Sequence, residues 1–257
     1  RNPGLALPLI ALQYHEVKLV VELAPYGNVG DTLQTWTSAP TLFVDYIYLD
    51  TDERRRFAQV SHEYLIEQVQ FTGNETLTSG GARVDINYNH PVKEFIWVAQ
   101  DGTTNGRGTA SGNALEPCRF NSMNFTTAKL QLNGHDRFTE RRPEYFLNVQ
   151  TSAHHTHPPR ANRTHCLVVN AEADGDDTTT GIDTPNVDVA VTENNSQYIY
   201  VYSFALHPEE LQPSGTCNFS RIDNATLVLS GGTNTGTLKL YAVNYNVLRI
   251  MSGMGGL

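Results

Sequence analysis

Cysteine is scarce in this chain of 257 residues. Cys118, Cys166 and Cys217 are far apart, odd in number and in no CxxC pattern, which argues against a secreted disulfide scaffold. Long apolar runs are missing as well. The longest, residues 5–12 and 198–206, fall short of the roughly 20 residues a membrane-spanning helix needs, so no transmembrane segment is expected. Basic charge is thin: 18 Lys and Arg stand against 27 Asp and Glu, a formal net charge of -9. A nucleic-acid-binding domain presents a clustered basic face, whereas the only dense basic run here is Arg54-Arg55-Arg56. No direct nucleic-acid partner is therefore expected. An initiator Met and a signal-peptide pattern are also lacking; the chain starts Arg1-Asn2-Pro3-Gly4, which reads as a fragment.

What is present is a 39% apolar composition, enough to bury the core of one large domain, or of one domain and part of another. The dominant periodicity is two, the mark of strands whose side chains alternate between faces. Residues 198–204 place Tyr198, Tyr200, Tyr202 and Phe204 on one face, and residues 84–89 alternate cleanly between apolar and polar. Residues 238–248 read as a long strand, and further candidates are 17–23, 42–49, 64–71, 94–99, 125–132, 166–170 and 225–229. Turn residues separate them, among them Gly80-Gly81, Asn133-Gly134 and Gly231-Gly232. Many short strands between Gly and Asn turns predict an all-β sandwich or barrel. Helical signals are few: residues 50–58, capped at Asp50, and residues 208–211. Residues 102–117, 150–164 and 172–184 read as extended loops. The strand pair at 17–23 and 43–49 is echoed by 225–229 and 238–248, which suggests two copies of one β-domain with the first mostly missing.

Chemical motifs are sparse. His154, His155 and His157, with His165 and Cys166 after them, are residue types that suit zinc or copper, but their spacing matches no standard zinc module and a solvated loop is expected. Asp174, Asp176 and Asp177 lack the order of a calcium-binding loop. No Ser stands on a Gly-flanked nucleophile elbow, no phosphate-cradling Gly-rich loop appears, and nothing nominates a glycosidase carboxylate pair. Neither an enzyme nor a cofactor is therefore expected. Asn74, Asn124, Asn162, Asn194, Asn218 and Asn224 each head an Asn-x-Ser/Thr triplet, roughly twice the chance number, and are candidates for N-glycosylation. Asp50 and Asp52 stand four residues before Arg54 and Arg56, a spacing that pairs charges on a helical turn. With Arg55 they read either as a solvated connector or as an interdomain or intersubunit ion-pair hinge.

Specific strings then carry a resemblance. Val44-Asp45-Tyr46-Ile47-Tyr48-Leu49-Asp50-Thr51-Asp52-Glu53-Arg54-Arg55-Arg56-Phe57-Ala58, followed by His62-Glu63-Tyr64-Leu65-Ile66-Glu67-Gln68, resembles the central segment of the major capsid proteins of nucleocytoplasmic large DNA viruses, the group that includes chlorella viruses and iridoviruses. Residues 7–17, 89–94, 213–223 and 245–257 resemble the same family in the same order. The resemblance implies two tandem jelly rolls per subunit and three subunits in a pseudo-hexagonal capsomer. Residues 1–57 would then be the closing strands of the first jelly roll with its connector, and residues 58–257 the complete second one.

The implied function is a structural capsid subunit that forms a homotrimer and tiles an icosahedral shell. Its partners would be neighbouring capsomers and minor capsid proteins, in a virion assembled in the host cytoplasm, where the shell overlies an internal membrane. A chain lacking most of the first jelly roll would expose much apolar surface and is expected to be insoluble alone. The alternative from another class is a glycan-binding, lectin-like jelly roll.

Overall fold

The structure is a computed structural model and describes residues 3–22, 40–100, 125–156, 198–232 and 236–257. Helix α1 (Thr51–Gln59) precedes ten strands: β1 (His62–Leu77), β2 (Gly81–Ile86), β3 (Pro91–Gln100), β4 (Thr127–Leu132), β5 (His135–Asp136), β6 (Tyr200–Ser203), β7 (Cys217–Asn218), β8 (Ala225–Ser230), β9 (Gly236–Met251) and β10 (Met254–Gly256). Between β5 and β6, a π-helical turn (Tyr145–Val149) runs into the short helix α2 (Gln150–His154).

The strands make two antiparallel sheets. One follows the order β1-β9-β3-β6, with β10 beside β9 and β7 beside β3; the other follows β2-β8-β4-β5. Each successive connection of the first half, β1–β2, β2–β3 and β3–β4, crosses from one sheet to the other, and so does β8–β9. A chain that alternates between two facing sheets in this way is a jelly-roll sandwich.

The inner faces meet over a single core. Its heart is aromatic: Trp97 packs edge-to-face on Phe146 at 5.1 Å and stacks on Tyr200 at 5.9 Å, while Phe95 meets Phe204 and Phe219, each at 5.2 Å. Leu238, Leu240 and Ala242 of β9 are fully buried beneath them, as the alternation of residues 238–248 predicts. At roughly 25 cal/mol per Å² of apolar surface, such side chains supply most of the stabilisation. Tyr88 is buried among them and donates its hydroxyl to the Leu240 carbonyl at 2.7 Å; burial pushes its pKa up to about 12.

Turn chemistry holds the registers. Asn133 and Gly134 both have positive φ and close the β4–β5 hairpin as the mirror-image turn a right-twisted ribbon favours. Gly81 sits at φ +130, and a Cβ there would lie 2.1 Å from the Leu229 carbonyl oxygen, so only glycine lets β2 start beside β8.

Four expectations need correction. Residues 17–22 and 42–49 carry no strand, because β-prone sequence needs a partner edge and none of the described residues offers them one. Residues 208–209 form a turn and 210–211 bends rather than a helix, since Pro208 is buried and the segment is shaped by contacts with its surroundings. The expected loop from 150 starts as helix α2, because Phe146 is drawn completely into the core and the helix follows it. Asp50 does not pair with Arg54, nor Asp52 with Arg56; Asp50 caps α1 instead, accepting from the Thr51 N–H at 2.7 Å, and Asp52 reaches Arg55 at 3.8 Å. The candidate strand 166–170 lies outside the described residues.

Candidate functional site

Two features stand apart from the core: an apolar surface at the start of the chain and a charged cluster on the outer face of the larger sheet. Leu42, Phe43, Val44, Tyr46, Ile47 and Tyr48 precede α1 and are exposed, Phe43 at 90% and Tyr48 at 92%. So many bare aromatic and branched side chains in one segment mark an interaction surface. Residues 3–16 are more firmly held. The Tyr14 N–H donates to the Gly253 carbonyl at 2.9 Å, and the Gly255 N–H approaches His15 Nδ1 at 3.2 Å. Leu5, Leu7, Leu9 and Tyr14 of this segment are exposed, as are Met251 and Met254.

Helix α1 links this surface to β1. It buries no residue. A nine-residue helix with no buried face is marginal by itself, and what holds its start is a capping box: the Asp50 side chain accepts from the backbone while the Glu53 carboxylate accepts from the Asp50 N–H at 3.3 Å. Among the described residues Arg54 and Arg56 are exposed and make no ion pair, and Arg55 has only its long contact to Asp52. Three guanidiniums thus project from one short helix.

The charged cluster is built by β3, α2 and the 204–214 segment. The π-helical turn lets Gln150 reach the edge of β6, where its Oε1 accepts from the Ser203 N–H at 3.0 Å. α2 then ends with His154 Nδ1 3.1 Å from the Leu206 carbonyl and His155 between two carboxylates. His155 Nε2 lies 3.2 Å from Glu94 Oε2, and its Nδ1 lies 3.2 Å from Glu209 Oε1. Glu94 is almost fully buried. Contact with Glu94 raises the His155 pKa above the ordinary imidazole value, burial opposes this, and Glu209 adds to the rise. The other oxygen of Glu209 accepts from the Thr156 N–H at 2.9 Å and from the Thr156 hydroxyl, and these bonds hold its carboxyl down to about 2.

The histidine candidates therefore divide. His154 and His155 turn to different partners, no group of three metal-ligating side chains occurs among the described residues, and His157, His165, Cys166, Asp174, Asp176 and Asp177 lie outside them. Of the sequons, Asn74 on β1, Asn218 on β7 and Asn224 before β8 are exposed, while Asn124, Asn162 and Asn194 lie outside the described residues. Asn74 follows the β-bulge that breaks the β1–β9 register after Phe71. Sequence reasoning missed Glu94, Glu209 and the buried Lys93, whose only signal was an out-of-place charge within an apolar strand.

On the outer face of the smaller sheet, Arg83, Asp85, Asn87, Gln131, Asn133 and Asn224 border a polar trough of about 560 Å³. No aromatic ring lines it.

Comparison with known proteins accounts for the whole chain. Residues 53–188 and 187–256 match the family described as large eukaryotic DNA virus major capsid protein, and residues 1–50 match the family described as major capsid protein N-terminus. The chain is 54% identical to the major capsid protein of Pyramimonas orientalis virus over 258 residues, covering all of this chain and 58% of the relative. It is 40% identical to the major capsid protein of Paramecium bursaria Chlorella virus 1, covering 63% of it. Among solved structures, a quasi-atomic description of the PBCV-1 virus capsid superposes with a TM-score of 0.64 at 36% identity, over all of this chain and 67% of that one. The chain spans about three fifths of the length of these curated relatives. With a jelly-roll sandwich and full-length sequence similarity together, the chain belongs to the major capsid protein family of large eukaryotic DNA viruses.

Proposed function

We propose that this chain is the shell-forming part of a non-enzymatic capsid subunit, three copies of which form a pseudo-hexagonal capsomer that tiles the icosahedral shell of a large double-stranded DNA virus. Residues 1–57 contribute closing strands and a connector to a first jelly roll, and residues 58–257 are the second. The observation that carries this is the exposed 42–48 segment: strand-forming residues with no strand partner among the described residues, immediately before the helix where one family match ends and the next begins. Supplied with the edge of a first sheet, those side chains would be buried. Arg54, Arg55 and Arg56, with Asp50 and Asp52, fit ion pairs across the interdomain or intersubunit boundary.

The partners in this reading are neighbouring capsomers and minor capsid proteins, without direct nucleic-acid contact. Assembly takes place in the host cytoplasm and ends in the virion, with the shell over an internal membrane. Sugars at Asn74, Asn124, Asn162, Asn194, Asn218 or Asn224 belong to the same reading, and peptide mass analysis of particle-derived protein tests each site. Electron imaging of particles containing this chain tests the main claim: three-fold, hexagon-shaped tiles are expected, and particles with the protein in any other arrangement would refute it. Glycan-array binding by the assembled protein would instead favour the alternative, a lectin-like role.

A further inference from the structure

The His155 cluster is more than a surface ion pair. Both ring nitrogens of His155 face carboxylate oxygens at 3.2 Å, Glu94 on one side and Glu209 on the other. The Nδ1 contact to Glu209 is a hydrogen bond, whereas the Nε2–Glu94 contact lacks hydrogen-bond alignment and leaves both buried atoms without a hydrogen-bond partner, so it is the positive charge of the imidazolium that offsets the two carboxylates around the ring. The ring's side chain is 17% exposed and that of Glu94 9%. Screening by water is therefore weak on the Glu94 side, and the charge state of the ring matters to the fold.

The three groups come from separate elements. Glu94 lies on β3, in the middle of the larger sheet; His155 is the residue that ends α2; Glu209 lies on the segment that leaves β6 and returns to β7. That segment starts at the sheet, where the Phe204 and Ala205 N–H groups donate to the Lys93 carbonyl. Beyond Ala205 the buried Pro208 is its apolar anchor, and its polar ties to the rest of the fold are few: His154 Nδ1 at the Leu206 carbonyl, the Tyr245 hydroxyl donating to the Glu210 carbonyl at 3.2 Å, and the Glu209 contacts to His155 and Thr156. Leu206 and Leu211 along it are exposed.

We propose that His155, as an imidazolium, is a clip that holds the 205–214 segment against β3, and that loss of its proton releases this segment. Deprotonation leaves the Glu94 and Glu209 carboxylates on either side of a neutral ring, with no cation between them. The charged or titratable groups facing the ring among the described residues are these two, with His154 beside it in the chain; Lys93, next to Glu94, directs its ammonium to Glu67 instead. The sign follows from the raised pKa. The clip is fully closed below the ordinary imidazole value of 6.5 and opens as pH rises through the higher value of the folded protein.

Hydrogen–deuterium exchange of the full protein in its native assembly tests the clip, followed by mass spectrometry from about pH 5.5 to about pH 9.5. After correction for intrinsic rates, the amides of residues 205–214 are expected to exchange several-fold faster at the alkaline end. The midpoint should coincide with that of His155, read in the same samples from exchange at its ring C2 position. A flat profile in the unaltered protein overturns the proposal, as does a midpoint different from that of His155. His155→Gln, which cannot gain the charge, is expected to exchange at the open rate throughout. Should that variant fail to fold, Glu209→Gln at the surface is expected to shrink the acid-to-alkaline difference; an undiminished difference there overturns the clip.

Discussion

The buried ammonium of Lys93 reaches from β3 across β9, over the ring of Tyr245 at 5.2 Å, to the carboxylate of Glu67 on β1. Three strands are thus tied on their outer face by one side chain that is only 2% exposed.

This arrangement predicts an asymmetric response to mutation. Glu67→Ala leaves a buried ammonium without its carboxylate and is expected to destabilise the fold by about 2–3 kcal/mol, less than a fully buried pair because Glu67 itself is partly exposed. Lys93→Met combined with Glu67→Gln removes both charges and is expected to recover most of that loss. Denaturant midpoints of the variants check this; a neutral Glu67→Ala would contradict it.

At Gly81, the positive φ and the nearby Leu229 carbonyl leave no space for a side chain. Gly81→Ala is expected to cost about 3 kcal/mol or more through strain and displacement of β8. Gly80→Ala, at a similar φ but with nothing nearby, is expected to cost less. Comparison of the two thermal unfolding midpoints separates crowding from strain.

Helix α1 should depend on its cap. Asp50→Ala is expected to destabilise it by about 1 kcal/mol, visible as faster amide exchange over residues 51–59 with little change in the sheets. Replacing Arg54 and Arg56 by Glu, by contrast, is expected to leave the fold unchanged and to weaken the proposed trimer, most clearly at low salt. Light-scattering mass measurements read the second effect; unchanged trimers in both variants would remove these arginines from the interface.

Acid provides the other limit of the 205–214 segment. The Glu209 carboxyl is held down to about 2 against an ordinary 4.5, so its contribution is complete above 4.5 and fades as pH falls towards 2. Together with His155, this predicts the strongest hold on the segment between pH 4.5 and 6.5. Exchange rates of residues 205–214 should pass through a minimum there, and Thr156→Val should shift the acid limb to higher pH by removing the hydroxyl that donates to Glu209.

Much of the sandwich was legible in the sequence because a half-buried strand writes its two faces into alternate residues. The runs at 64–71, 94–99, 225–229 and 238–248 all lie inside strands, and the Asn133-Gly134 turn closes a hairpin where expected. Asp50 announced its helix cap for an equally local reason, a carboxylate one residue before a turn. The failures were non-local. Residues 42–49 have strand composition without a strand, because propensity is satisfied only by a neighbouring edge. The helix at 145–154 gave little signal because it is held by Phe146 in the core and Gln150 on the β6 edge rather than by its own periodicity.

Sequence alone determined that this chain builds two-faced strands, where the Gly80-Gly81, Asn133-Gly134 and Gly231-Gly232 turns fall, and which viral family it resembles. Only the tertiary structure decided that β9 lies between β1 and β3, that Lys93 meets Glu67 across it, and that His155 closes between Glu94 and Glu209. The reason is physical: alternation tells each side chain which face it occupies, but the identity of its neighbour is fixed by strand order and register, which arise when distant segments pack.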